Sequence, residues 1–237
     1  FIEARPATDE ELLKVHSAEH IESVRECTFT NPDCPRHENI HYYASLSAGA
    51  AIQASQQHGF SLMRPPGHHA SRDSVAGFCY YNNLAVAVKN SSNKTLIIDI
   101  DGHHGDGTEA IFKGDSQVVF LSLHSSPNYP GTGLQSYDNC HNVPLPFRCG
   151  NEAFLRALGE QLDEIDVAGI MQVAVSAGFD TFETDPLASL GLTRECYEAI
   201  GEILAAIKLP TFAILECGYD PQNLGSNIDA FLTGLYS

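Results

Sequence analysis

Five short apolar runs punctuate the chain: GFSLM (59–63), TLIIDI (95–100), VVFLSL (118–123), MQVAVSA (171–177) and TFAILE (211–216). Runs this short, rich in Val, Ile, Leu and Phe, predict strands buried on both faces. Between them, segments 41–57, 78–90, 151–165 and 193–207 space their apolar residues at helical intervals. Strand alternating with helix predicts an α/β domain: a mostly parallel sheet with helices on both faces. No repeat, low-complexity tract or long linker divides the sequence, so residues 1–237 are expected to form a single domain. The first residue is Phe1 rather than Met, and native residues are expected upstream of it.

The ends of the five runs share a character. After 59–63 comes RPPGHH, after 95–100 DGHHGDG, after 118–123 His124 and then YPGTG, after 171–177 GFDTFETD, and after 211–216 CGYD. Each run delivers polar, glycine-rich sequence at its carboxyl end. In open parallel sheets, ligands bind outside those ends. Five loops converging on one crevice predict a site there.

Composition narrows the chemistry. The formal charge is −17, from 13 basic and 30 acidic side chains. Free nucleic acid is an unfavourable partner, because phosphate binding needs clustered Lys and Arg. Cationic substrates suit the acidity, which also keeps a protein soluble. No apolar stretch approaches the roughly 18 residues needed to span a bilayer, and no signal peptide opens the chain. The seven cysteines are odd in number and form no C-x-x-C pair, which argues against a disulfide framework and a thiolate zinc site. A reducing, cytoplasmic compartment is expected, or the nucleus in a eukaryote.

Asp101 and His103 stand two apart, so in an extended segment both face one way and can meet one metal ion. Asp180, at another strand end, is the natural third ligand. Three protein ligands with an open position is the catalytic arrangement of zinc, whereas structural sites close with four. Strand-end capping is the bland reading of D-x-H alone; Asp180 and the further histidines outweigh it. His68 and His69 follow RPPG, whose prolines restrict the backbone before the turn. Adjacent histidines there suit a general base for a metal-bound water and a second proton donor, each needing a carboxylate to set its tautomer. Asp99 and Asp106 remain for that purpose. His104 is expected to point away from the site as a structural residue. His16, His20, His37, His41, His58, His124 and His141 carry no matching spacing. Tyr219 follows a glycine at a strand end, where a phenol could donate to an oxyanion.

Taken in order, RPPGHH, GFCYYNN, DIDGHHGDG, SLH, YPGTG, AGFD, DPLASLGLT and CGYD make the chain resemble the histone deacetylase family from about residue 5 onward. That superfamily also holds acetylpolyamine amidohydrolases and bacterial and archaeal deacetylase-like proteins. The resemblance implies an arginase-like fold with eight parallel strands, and zinc-dependent hydrolysis of an acetylated amine. It implies Asp101, His103 and Asp180 as ligands of one zinc. It implies His68 and His69 as tandem histidines with Asp99 and Asp106 as their respective partners, and Tyr219 as the residue that polarises the amide carbonyl. His69 is expected as the base and later donor to the amine, and His68 as a protonated helper. Phe78 and Tyr129 are implied as the walls of an acyl-lysine channel, with Gly77 as a backbone acceptor. A potassium ion is implied near the zinc, on the Asp99 and Ser122 side chains and the carbonyls of Asp101, His103 and Leu123. Three departures stand out. The family's first strand lies upstream of the matched region, Gly102 replaces a larger apolar residue, and ECGY replaces a common triple-glycine run.

Leu187 bears on the substrate. The resemblance puts this position at the channel mouth, where polyamine-specialised members can carry a glutamate. Leu187 offers an apolar wall suited to the methylenes of a lysine stem. The expected substrate is therefore an N-acetyl-lysine protein or peptide. The alternative is an acetylpolyamine or other small acetyl-amine, with Glu183, Asp185 or an upstream segment supplying the carboxylate. Two rivals remain: an arginase-type dinuclear hydrolase, and a non-catalytic acetyl-lysine binding module.

Overall fold

A computed structural model of the chain describes residues 1–187 and 190–237. Ala188 and Ser189, inside the DPLASLGLT motif, lie outside the described residues. The strands are β1 (Phe60–Ser61), β2 (Thr95–Asp99), β3 (Val118–Ser125), β4 (Cys140–Leu145), β5 (Gln172–Ala177) and β6 (Thr211–Leu215). They form one sheet in the order β1-β6-β5-β2-β3-β4, with every pairing parallel. The helices are α1 (Asp9–Leu12), α2 (Ala18–Arg25), α3 (Ile40–Gln57), α4 (Asn83–Ser91), α5 (Asp106–Phe112), α6 (Gly150–Glu164), α7 (Arg194–Ala205) and α8 (Leu224–Leu235).

The sheet separates two hydrophobic clusters, as a parallel sheet in this class requires. Ile97, Phe120, Ala174 and Phe212 point to the cluster containing Leu12, Val24, Ala48 and Leu84. Leu96, Ile98, Leu121, Val173 and Val175 point to the other, with Phe154, Leu158, Tyr197, Ile200 and Phe231. The alternation of Leu96, Ile97 and Ile98 between clusters is the two-residue period of a strand. All five residues of β2 are buried. Truncating one of its isoleucines to Ala would cost ~2–5 kcal/mol through lost burial and the cavity left behind.

Each predicted strand and helix has a counterpart, with shifted limits. β1 has only two residues, Phe60 and Ser61, which pair with Ala213 and Ile214 of β6. α4 starts at Asn83 rather than 78, because Asn82 caps it by accepting from Ala85 N at 3.0 Å. The eight strands implied by the resemblance are six among the described residues.

The strand order has one reversal. From β2 the chain steps outward through β3 and β4, then returns to the other side of β2 for β5 and β6. The switch point lies between β2 and β5, where helices leave opposite faces and a crevice opens at the carboxyl ends. Asp101 and His103 follow β2, and Asp180 follows β5.

Candidate active site

Three carboxylates are fastened to backbone donors at that switch point. Asp101 N donates to Asp99 Oδ1 at 3.0 Å, and Gly102 N to Asp180 Oδ1 at 2.8 Å. Asp101 receives His103 N at 2.9 Å on Oδ1 and Cys217 N at 3.1 Å on Oδ2. Gly178 is required here: a Cβ would lie 2.3 Å from Asp101 Oδ2. Asp101, His103 and Asp180 each bring one ligand atom within 4.8 Å of the others, and all three are buried. His103 Nδ1 lies 2.8 Å from Asp180 Oδ2, yet that oxygen has no aligned hydrogen-bond partner among the described residues. Close approach without hydrogen-bond alignment is what two ligands directed at a common ion would show. Two carboxylate oxygens and one imidazole nitrogen are donors that zinc accepts. The residues therefore fit the metal.

The RPPG turn carries the tandem histidines to the same place. Glu216, at the end of β6, is the anchor: its Oε2 accepts Gly67 N at 2.6 Å and His68 N at 3.2 Å, and its Oε1 accepts Ser176 Oγ at 3.0 Å. Burial pushes the Glu216 carboxyl up to about 7. His68 Nδ1 donates to Asp99 Oδ2 at 3.1 Å, and His69 Nδ1 to Asp106 Oδ1 at 2.7 Å. Burial alone would lower the pKa of His68, but Asp101 and Asp99 overcome it and raise it well above the ordinary value. Burial and the neighbouring charge of His68 lower His69 to about 4, against the pull of Asp106.

A cavity of about 260 Å³ opens above these groups, lined by Asp33, His69, Gly77, Phe78, His103, Asn128, Tyr129, Leu187, Cys217 and Tyr219. Phe78 and Tyr129 are partly exposed walls; the Tyr129 ring is 5.1 Å from His69 and the Phe78 ring 6.1 Å from Tyr219. Phe78 has φ +66, a costly conformation for a bulky residue, immediately after Gly77 at φ +50. Leu187 is 50% exposed at the rim. Tyr219 Oη donates to Cys217 Sγ at 3.0 Å, and burial raises its pKa well above the ordinary tyrosine value. The phenol is thus a protonated donor.

Other expected residues stand apart from the cavity. His104 turns away and bonds Thr132 Oγ1 at 2.8 Å and Asn142 Oδ1 at 3.0 Å, with Glu109 Oε2 3.3 Å distant. Asp99 lies in register with Ser122 across β2 and β3, and the Ser122 hydroxyl is 3.0 Å from His124 Nδ1. Leu123 is buried beside them on β3. Asp185, one reserve carboxylate for a polyamine, is buried and accepts Tyr219 N at 2.7 Å and Leu187 N at 2.9 Å. Glu183, the other, lies on the exposed side of that loop.

Sequence reasoning missed four residues. Asp33, Asn128 and Cys217 line the cavity, and Glu216 anchors the histidine turn. Only ECGY gave a signal, through its departure from a glycine run.

Comparison with known proteins gives the family of the chain. The family model described as histone deacetylase domain matches residues 1–235. A probable deacetylase of Methanothermobacter thermautotrophicus is 35% identical over 261 residues, covering 99% of this chain and 78% of that protein. The acetylpolyamine amidohydrolase of Mycoplana ramosa is 33% identical over 81% of this chain, which spans 60% of that protein's length. Among solved structures, the HDA15 HD domain superposes with a TM-score of 0.90 at 32% identity, covering 99% of this chain and 74% of that one.

Proposed function

This chain belongs to the histone deacetylase domain family, and we propose that it is a zinc-dependent amidohydrolase removing acetyl from N-acetyl-lysine side chains of proteins or peptides. The observation that carries the reading is the meeting of a three-ligand set, two His–Asp pairs and a phenol donor beneath one partly apolar cavity. The family and the names of its relatives support deacetylase chemistry.

Asp101, His103 and Asp180 would hold one zinc ion, which when bound supplies a Lewis acid and an acidified water. Tyr219 donates its hydroxyl hydrogen bond to the amide oxygen, exchanging Cys217 for substrate. His69, neutral above pH about 4, accepts the proton of the attacking water and delivers it to the departing amine. His68 stays charged and offsets the negative charge that develops. Phe78 and Tyr129 flank the methylenes of the lysine stem, and Leu187 extends that wall at the rim. Asp99 and Ser122, with the carbonyls of Asp101, His103 and Leu123, would hold potassium. Seven free cysteines suit a reducing compartment, cytoplasmic or nuclear. No helix of the described residues is long and apolar enough to cross a membrane.

The test is a fluorogenic acetyl-lysine peptide with and without chelator. Hydrolysis that the chelator abolishes and zinc restores is expected. Binding without turnover by metal-loaded protein would instead favour the recognition module. A second reading, acetylpolyamine hydrolysis, is favoured by Asp33, a carboxylate on the cavity wall able to meet a distant ammonium. Comparing kcat/KM for the peptide, N-acetylputrescine and N8-acetylspermidine separates the readings. A preference of about tenfold for the polyamines, worth ~1.4 kcal/mol, overturns the first.

A further inference from the structure

We propose that His104 and His124 form a buried latch that sets where Tyr129 stands, and thereby how tightly the cavity holds the stem of an acylated amine. The inference rests on the deacetylase reading for its substrate. It makes His104, His124 and Thr132 positioning residues that act through Tyr129 without touching that substrate.

Tyr129 belongs to the stretch between β3 and β4, residues 126–139, which has neither helix nor strand of its own. Thr132, Leu134, Gln135, Ser136 and Tyr137 of that stretch are exposed, so burial of apolar surface does little to fix it. Yet the Tyr129 ring stands close to the reacting groups, 5.1 Å from His69 and 6.1 Å from His103. The wall of a site is only as well placed as the side chains that support it.

Two buried imidazoles beneath the loop supply that support. His104 Nδ1 bonds Thr132 Oγ1 at 2.8 Å, and His124 Nε2 donates to Gly133 O at 3.0 Å. Thr132 and Gly133 follow Tyr129 closely, and Pro130, with its fixed φ, stiffens the link. The two rings lie 4.7 Å apart and press on Gly133. A Cβ there would come within 2.5 Å of His104 Cδ2 and 2.7 Å of His124 Cε1. The opposite nitrogens are tied to the sheet side. His104 Nε2 donates to Asn142 Oδ1 at 3.0 Å, with Glu109 Oε2 at 3.3 Å, and the Ser122 hydroxyl is 3.0 Å from His124 Nδ1. Asn142 Nδ2 also donates to Gln135 O at 3.1 Å, a second hold on the same loop. Buried imidazoles cost free energy unless their nitrogens are met, and every ring nitrogen of this pair has a partner.

The latch is also registered to the site. His103 and His104 are adjacent, so the extended segment that aims one into the cavity aims the other at the loop. The latch bonds touch neither the residues assigned to zinc nor those assigned to proton transfer. Loosening them weakens the hold on the stem in ground state and transition state alike, which raises KM and leaves kcat.

The experiment measures kcat and KM of the zinc-loaded chain on an acetyl-lysine peptide, and amide hydrogen exchange across residues 129–133. Thr132→Val keeps the shape and removes the hydroxyl. It is expected to raise KM ~3–10-fold, the size of one net hydrogen bond, with kcat within ~twofold of wild type. Thr132→Ser keeps the hydroxyl and is expected to keep the wild-type KM. Gly133→Ala, which forces both rings aside, is expected to raise KM at least as far as Thr132→Val. In a Tyr129→Ala background, Thr132→Val is expected to change KM by less than ~twofold, because the wall it positions is gone. An unchanged KM in Thr132→Val overturns the proposal. So does a rise as large in the Tyr129→Ala background, or a rise as large in Thr132→Ser. Failure of the deacetylase reading shows separately, as wild type that hydrolyses no acetylated amine. The latch is then judged by hydrogen exchange alone: faster exchange in Thr132→Val but not in Thr132→Ser supports it, and equal exchange in all three proteins overturns it.

Discussion

His68 and His69 are adjacent and alike: each gives Nδ1 to an aspartate, and each ring is buried. Their protonation is nonetheless pushed in opposite directions, far upward for His68 and down to about 4 for His69. The cause is what surrounds each pair. His68 meets two fully buried carboxylates, Asp99 and Asp101. His69 meets Asp106, whose side chain is 31% exposed and therefore screened, and it also feels the charge of His68. A His–Asp pair thus has no fixed protonation state; burial of the carboxylate and the charge next door decide it.

The sharpest way to break this contrast is to remove each ring. His69→Ala should lower kcat/KM by ~10²–10⁴, the worth of a positioned base, with little loss of stability. His68→Ala should instead destabilise the metal-free protein by ~3–5 kcal/mol in urea unfolding, because Asp99 is left fully buried without its cation, while Asp101 keeps only His103. Equal effects on rate and stability in both variants would erase the distinction. Tyr219→Phe comes next, with an expected loss of ~10²–10³ in kcat. Its acid limb should stay where the wild type has it, since Tyr219 does not set the protonation of His69; unchanged kcat would return Tyr219 to a packing role.

Asp106→Asn sharpens the contrast more gently, with a loss of ~10–100-fold. Asp106 raises the pKa of His69, so its neutral replacement should move the acid limb of kcat/KM below its wild-type position. A limb moving upward would contradict the assignment of His69 as base. The smallest effect concerns the other tandem pair. Burial alone would raise Glu109, but His104, Asn142 and Tyr137 hold it at about 2, against an ordinary 4.5. Its folded pKa is depressed, so its stabilisation is complete above pH 4.5 and is lost as pH falls through about 2. Glu109→Gln should remove that slope, on the order of 1–2 kcal/mol after screening. Chemical unfolding at pH 6 and pH 2.5 checks it: the wild type should lose stability between them and the variant should lose less.

Much of the fold was legible because apolar residues report burial locally. β2, β3, β5 and β6 carry uninterrupted apolar runs, and α3, α6 and α7 carry helical spacing. β4 was missed because CHNVPL is half-buried, mixed in character and contains Pro144. α8 was missed because LGSNIDAFLTGL begins with poor helix formers and is stabilised by packing on Phe60 and Phe179. The short α1, α2 and α5 rest on caps and tertiary contacts rather than on long periodic stretches.

The amino-acid order by itself determined the strands, their polar carboxyl ends and the D-x-H pair, since these depend on neighbours two to four positions apart. It also separated His103 from His104, because successive side chains of an extended segment face opposite ways. Only the tertiary structure decided that Glu216 would hold Gly67, 149 residues away, or that Asp33 would share a cavity with Leu187. It likewise decided the charges of His68 and His69, because a pKa depends on burial and on every charge nearby in space, wherever those groups lie along the chain.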